Sequence, residues 1–333
     1  ISTGGRHEEL APVIAYSFCT FVVGDNNDGS SESGIAECVS ALEARQSELA
    51  VESESADDAE ALFALGDQLA RAGDYDGAIQ AFTRGIELAP DSPVGYALRG
   101  QAYEIKGDAE LAILDLDIAL ELEPGNPISY RFRAFAYERL GMYERGIEDL
   151  SKAIEILPND ISLYMLRADW HWRLGRQSEA LADVGEALVL DPDLAAAYNH
   201  RALIYSAGDR DDYELALKDI ERALELTDPS EDEASFYNFL DTRAYIYLLQ
   251  GQFNLAKADY DRVLGHGLDS PAPVLGAGLT HAGLGDRERA RELLDRGLEQ
   301  ARELQSSSPR EIDPQLIDLV ARAEQAVTEL GSE

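Results

Sequence analysis

The sequence predicts an all-α protein, a solenoid of stacked helix–turn–helix units that ends in a C-terminal capping helix. Three observations predict it. Tyr130 to Pro158 reads as two amphipathic helices around a glycine turn, and the pattern recurs: Gly66, Gly100, Ala134, Ala168, Ala202, Ala244 and Gly278, each midway along a first helix, stand 34, 34, 34, 34, 42 and 34 residues apart. Each unit turns at a glycine (Gly73, Gly107, Gly141, Gly175, Gly208, Gly251, Gly285) and starts its second helix near a small residue such as Ala78, Ala112 or Gly146. Pro90, Pro124, Pro158 and Pro192 close four units, because Pro disfavours helix in the residue before it. A period near 34 with a hairpin per repeat is the pattern of an array in which no unit buries its apolar face alone.

In chain order, residues 1–56 form an N-terminal segment that departs from the period. Leu10 to Val23 is apolar and rich in β-branched and aromatic residues, which leaves strand and buried helix open. Gly24 to Gly34 is a loop by composition, and Gly34 to Leu42 can be laid on Ala78 to Ile86, so residues 9–50 read as a degenerate repeat with a long inner loop. That reading puts Cys19 and Cys38 level across a hairpin, where a disulfide is expected; two buried reduced thiols are the alternative. A disulfide implies an oxidising compartment. With a first residue Ile1 rather than Met, it leads us to expect export to an extracellular or periplasmic space, with a cytoplasmic location as the alternative.

Residues 57–302 hold seven units. The fifth gains two residues in its turn (Gly208 to Tyr213) and about six in the connection near Pro229 to Ser235, and the last two lack the closing Pro. Residues 303–333 follow, with Gln315 to Leu330 read as a solvating cap.

These residues carry a resemblance. In the third unit Tyr130, Ala134, Tyr137, Gly141, Gly146, Leu150, Ala153 and Pro158 fill the recurring slots, and the pattern over about residues 59–302 resembles the tetratricopeptide repeat family. The resemblance implies a right-handed α-solenoid whose first helices line a concave groove for a peptide or protein. It places on that face Phe63 and Asp67; Val94, Ala97 and Gln101; Ile128, Arg131, Phe135 and Glu138; Met165, Asp169 and Trp172; Asn199 and Leu203; and Asn238, Asp241 and Tyr245. The family's carboxylate clamp is absent, since no Lys falls on this face.

One recurring pair lies beyond the family pattern. Arg99, Arg133, Arg167, Arg201 and Arg243 precede the small residue of five first helices, and Asp115, Asp149, Asp183, Asp219 and Asp259 hold one place in the second helices. Units lacking one partner lack both, showing Leu65 with Ala81 and Ala277 with Leu293. Presence and absence together predict bidentate ion pairs that set helix register, rather than a row of catalytic charges.

Net charge is −36, from 28 basic and 64 acidic residues, which argues against nucleic acid or an anionic lipid surface as partner. Only four basic residues are Lys, which leaves salt adaptation and an ordinary acidic surface both open. No apolar run reaches the roughly 18 residues of a membrane span. We find no phosphate loop, no Cys-x-x-Cys and no zinc spacing, and the acidic loop Asp25 to Glu32 lacks the closing Glu of a calcium loop, so no cofactor, metal or catalytic residue is expected. Two functions are weighed: a non-enzymatic scaffold that binds a partner in its groove, and a structural subunit that assembles head to tail into filaments through its N-terminal segment and solenoid ends.

Overall fold

Many helix boundaries fall where the repeat places a glycine, a proline or a capping side chain. The computed structural model describes residues 58–208, 212–307 and 313–331. Among them run fifteen helices and no strand: α1 Ala59–Arg71, α2 Tyr75–Leu88, α3 Pro93–Lys106, α4 Ala109–Leu122, α5 Pro127–Arg139, α6 Tyr143–Ile156, α7 Ile161–Arg173, α8 Gln177–Leu190, α9 Ala195–Ser206, α10 Asp212–Leu226, α11 Glu233–Leu249, α12 Phe253–Gly265, α13 Pro271–Gly283, α14 Arg287–Ser307 and α15 Pro314–Gly331. The degenerate repeat, Cys19, Cys38, the acidic loop and residues 209–211 of the lengthened turn lie outside the described residues.

The turn at Gly141 shows why glycine recurs. Its φ is 71°, in the left-handed region where a side chain is strained. Its N–H bonds the Glu138 carbonyl at 2.8 Å while Met142 N–H bonds that of Tyr137 at 2.8 Å, the two reversed bonds that satisfy the last carbonyls of α5. Gly73, Gly107, Gly175, Gly251 and Gly285 have the same positive φ; Gly208, in the lengthened turn, does not. At the opposite ends Pro93, Pro127 and Pro271 occupy the first turn, where their fixed φ suits the helix and no N–H is missed.

The helices fall into two units. One, within residues up to Pro158, holds the hairpins α1–α2, α3–α4 and α5–α6; the other, from Asn159, holds α7–α8, α9–α10, α11–α12, α13–α14 and α15. Inside each, the second helix of a hairpin packs on the first helix of the next, the stacking of an α-solenoid. Small residues permit the closeness: a Cβ on Gly66 would lie 2.3 Å from the Phe82 ring. The insertion before the sixth hairpin lengthens its first helix, so α11 has 17 residues where α7 has 13. At the chain's end α14 runs for 21 residues to Ser307, past the boundary at 302 that the repeat length suggests.

Five arginines join these helices. In the pairs Arg99–Asp115, Arg133–Asp149, Arg167–Asp183, Arg201–Asp219 and Arg243–Asp259, Nε donates to Oδ2 and Nη2 to Oδ1 at 2.6 to 2.9 Å. The aspartates are buried. Hydrogen bonding to its aspartate, opposed by burial, holds each of Arg99, Arg167, Arg201 and Arg243 above the ordinary guanidinium value. The remaining donor reaches backwards: Arg99 Nη1 donates to Thr83 of the preceding hairpin at 3.0 Å, and Arg133 Nη1 to Asp117 at 2.6 Å. Tyr96, Tyr130, Tyr164 and Tyr198 lie 5.4 to 6.0 Å under the guanidiniums of Arg99, Arg133, Arg167 and Arg201. Each such arginine therefore fixes its own hairpin, and in the first unit also ties it to the neighbour before it.

Candidate functional site

In the first unit, α5 presents one stripe. Ile128, Arg131, Phe135 and Glu138 stand at i, i+3, i+7 and i+10, spacing that keeps them on one side of a helix. Ile128 is 47 % exposed, and the other three are half-buried. Phe135 meets Phe132 edge to face with centroids 6.2 Å apart, and the Arg131 guanidinium lies 5.8 Å from the Phe132 ring. On α3 the matching positions are Val94, 49 % exposed, and half-buried Gln101. Arg139 of α5 donates from Nε to Glu104 of α3 at 3.0 Å, a clasp the sequence reading missed. The 35-residue spacing of that pair was its signal, and Glu138 and Arg173 stand at the same spacing in the sequence.

Phe63 departs from the expected groove. It is 8 % exposed, and its ring lies against the backbone of Gly85 and Gly95, where any Cβ would come within 2.4 to 2.6 Å of it. Two glycines facing one ring make a socket. Phe63 is therefore core between α1, α2 and α3, not part of an open face.

In the second unit three of the residues expected to face a partner meet α15 instead. Trp172 of α7, Leu203 of α9 and Tyr245 of α11 line a cavity of about 290 Å³ whose other wall includes Pro314, Gln315 and Asp318. Trp172 is 6 % and Tyr245 4 % exposed. The Trp172 ring meets His200 edge to face at 5.6 Å, and burial keeps that imidazole's pKa below its ordinary value. Met165 packs beside Trp172, and Asp169 accepts from Arg173 Nε at 2.7 Å one helical turn away. Asn199 Oδ1 is buried without a hydrogen-bond partner among the described residues. The last helix, expected only to solvate the array's end, thus reaches the face lined by Trp172, Leu203 and Tyr245.

Acid density accompanies this contact. Asp313, which caps α15 by accepting the Leu316 N–H at 2.8 Å, has its pKa raised by burial, with Asp169 adding to and Arg173 opposing the shift. Asp241 is raised further, to about 7, first by burial and then by the Asp313 carboxylate. His171, in the slot other units give to Tyr, is held low by burial.

A second surface was not anticipated. On α4, Leu111, Leu114, Ile118 and Leu122 are exposed, Leu114 at 60 %, and lie along one side of a helix whose opposite side is also apolar. Among the described residues no group of three His, Cys, Asp or Glu could hold a metal ion, and no helix is long and apolar enough to cross a membrane.

Two stretches, residues 59–92 and 129–160, match tetratricopeptide repeat family models. Comparison with curated proteins gives no match. Among solved structures the chain is similar to a tetratricopeptide repeat protein from Parabacteroides merdae, with TM-score 0.61 and 18 % identity over 80 % of this chain and 98 % of that one. It is also similar to the C-terminal part of a TPR repeat-containing protein from Cytophaga hutchinsonii, with TM-score 0.57 and 16 % identity over 78 % and 99 %. A third, YrrB, described as a TPR protein with an unusual peptide-binding site, aligns with TM-score 0.46 and 20 % identity over 52 % of this chain and 89 % of that one.

Proposed function

The chain is a tetratricopeptide repeat protein, and from that premise we propose that it is a non-enzymatic scaffold that holds a peptide or protein partner on the first-helix faces of its hairpins. The observation that carries this reading is the side of the first unit where Val94 and Ile128 stand about half exposed beside Arg131 and Gln101. An apolar and aromatic surface with charged points, on rigid helices, is what a binding face requires.

The test is capture by the immobilised chain from its native source, with identification of what is bound. Val94→Asp with Ile128→Asp abolishes capture and leaves the melting temperature within a few degrees of the original, because neither side chain is in the core. Unchanged capture by the double variant would remove the reading. Export and a Cys19–Cys38 disulfide are further proposals that rest on the sequence. So is head-to-tail assembly through the N-terminal segment, and no observation among the described residues favours it over the scaffold.

A further inference from the structure

α15 sits where the scaffold reading puts a partner, and it packs there in two unlike halves. Along its inner side Leu316, Leu319 and Ala323, at i, i+3 and i+7, are buried against Tyr245 of α11, Leu275 of α13 and Leu294 of α14. The Tyr245 hydroxyl donates to Asp318 Oδ2 at 2.9 Å, and Arg322 Nε donates to the same oxygen at 2.6 Å. That half is held by apolar packing and by hydrogen bonds.

The leading end is not. Gln315 Nε2 and Asp241 Oδ1 are buried without hydrogen-bond partners among the described residues, and the Asp313 carboxylate stands within electrostatic reach of Asp169 and Asp241, with Arg173 as the opposing cation. The cavity of about 290 Å³ extends from this end, past Trp172 and Leu203, to Tyr245, Asp318 and Arg322. Unpaired buried polar groups cost free energy, so the leading end opposes the docking that the leucines favour. A helix whose only task is to close an array has no need of such a mismatch. A helix that must give way has.

We propose that α15 is an internal ligand of the second unit: it occupies the first-helix face in place of a partner. The partner that displaces it is an amphipathic helix with apolar residues at i, i+3 and i+7 and a carboxylate at i+2 for the Tyr245 hydroxyl. The proposal rests on the scaffold reading and names its partner class. A tethered segment competes at high effective concentration, so a free helix binds weakly until the tether's grip is reduced.

The probe is a fluorescein-labelled synthetic peptide of residues 313–331, titrated by anisotropy into the full chain and into a full-chain Leu319→Asp variant. We expect the variant, its own α15 undocked, to bind the peptide at least tenfold more tightly than the unaltered chain, and a peptide that itself carries Leu319→Asp to bind neither. Hydrogen exchange on the unaltered chain gives a second readout that needs no variant: α15 amides open while those of α13 and α14 stay protected. The proposal is overturned by absence of the tenfold gain in a variant that keeps its helical content, or by α15 opening only together with α13 and α14. Neither readout uses the native partner or the first unit, so failure here leaves the capture test standing, and failure of capture leaves this result standing.

Discussion

Replacing Arg167 by Met removes both donors to Asp183, held at 2.9 and 2.6 Å, and strands that carboxylate where it is 5 % exposed. Breaking a buried pair by deleting one partner costs about 3–5 kcal/mol, most of it the desolvation of the charge left behind. The Arg167 side chain is itself 20 % exposed, so water can reach part of the site and the lower end, about 3 kcal/mol, is expected. Following the change with Asp183→Leu removes the stranded charge and replaces it with apolar volume, so the double variant recovers more than half of the loss. Both tryptophans, Trp170 and Trp172, lie on α7 with Arg167, so urea unfolding followed by tryptophan fluorescence reads this helix directly. A repeat array unfolds by neighbouring units, and the fluorescence midpoint therefore shifts more than the far-ultraviolet circular dichroism midpoint of the whole chain. A double variant no more stable than Arg167→Met would refute the idea that the pair is a structural staple. So would a single variant that loses less than about 1 kcal/mol, well below the buried-pair cost.

Three further outcomes follow from the geometry. The Asp241 carboxyl, ordinarily near 3.8, titrates at about 7 in the folded unit, so the folded state keeps a proton that the unfolded chain releases. Its stabilising contribution is complete below about pH 4, falls by about 1.4 kcal/mol per pH unit as pH rises, and is gone above about pH 7. Asp313 from α15, itself within reach of Asp169 and Arg173, and Tyr260 from α12 are the groups that couple to it. Asp241→Asn should therefore flatten the fall in melting temperature between pH 5 and 7.5, and an unaltered slope would contradict the assignment. Gly141→Ala, forced to φ near 71°, should cost about 1–2 kcal/mol in urea titration. Gly66→Ala, whose Cβ would overlap the Phe82 ring at 2.3 Å, should cost about 1–3 kcal/mol, and a neutral result would mean that α1 and α2 pack less closely than described.

The sequence was informative wherever the physics is local to a repeat. A turn that needs positive φ selects glycine, so Gly73 to Gly285 mark six of the seven turns in plain view. A buried carboxylate needs its guanidinium, so Arg and Asp appear and vanish together at fixed places, and the pairs sit at hydrogen-bonding distance. What stayed hidden depends on neighbours beyond one hairpin. Phe63 occupies a groove position by number, but Gly85 and Gly95 open a socket that draws its ring into the core. Asp313 comes within reach of Asp169 across more than a hundred residues, and no periodicity encodes that encounter. The apolar side of α4 escaped notice because its leucines and isoleucine read as core for a helix that is apolar on both sides.

That second surface makes the decisive measurement possible. A photoreactive benzophenone side chain placed at Ile128 on the first-helix side of α5, and separately at Leu114 on α4, reports which face a partner touches when the chain is irradiated in its native setting. The scaffold account predicts a discrete cross-linked adduct from position 128 and none from 114. Adducts from 114 with none from 128 would contradict it and move the binding face to the second helices.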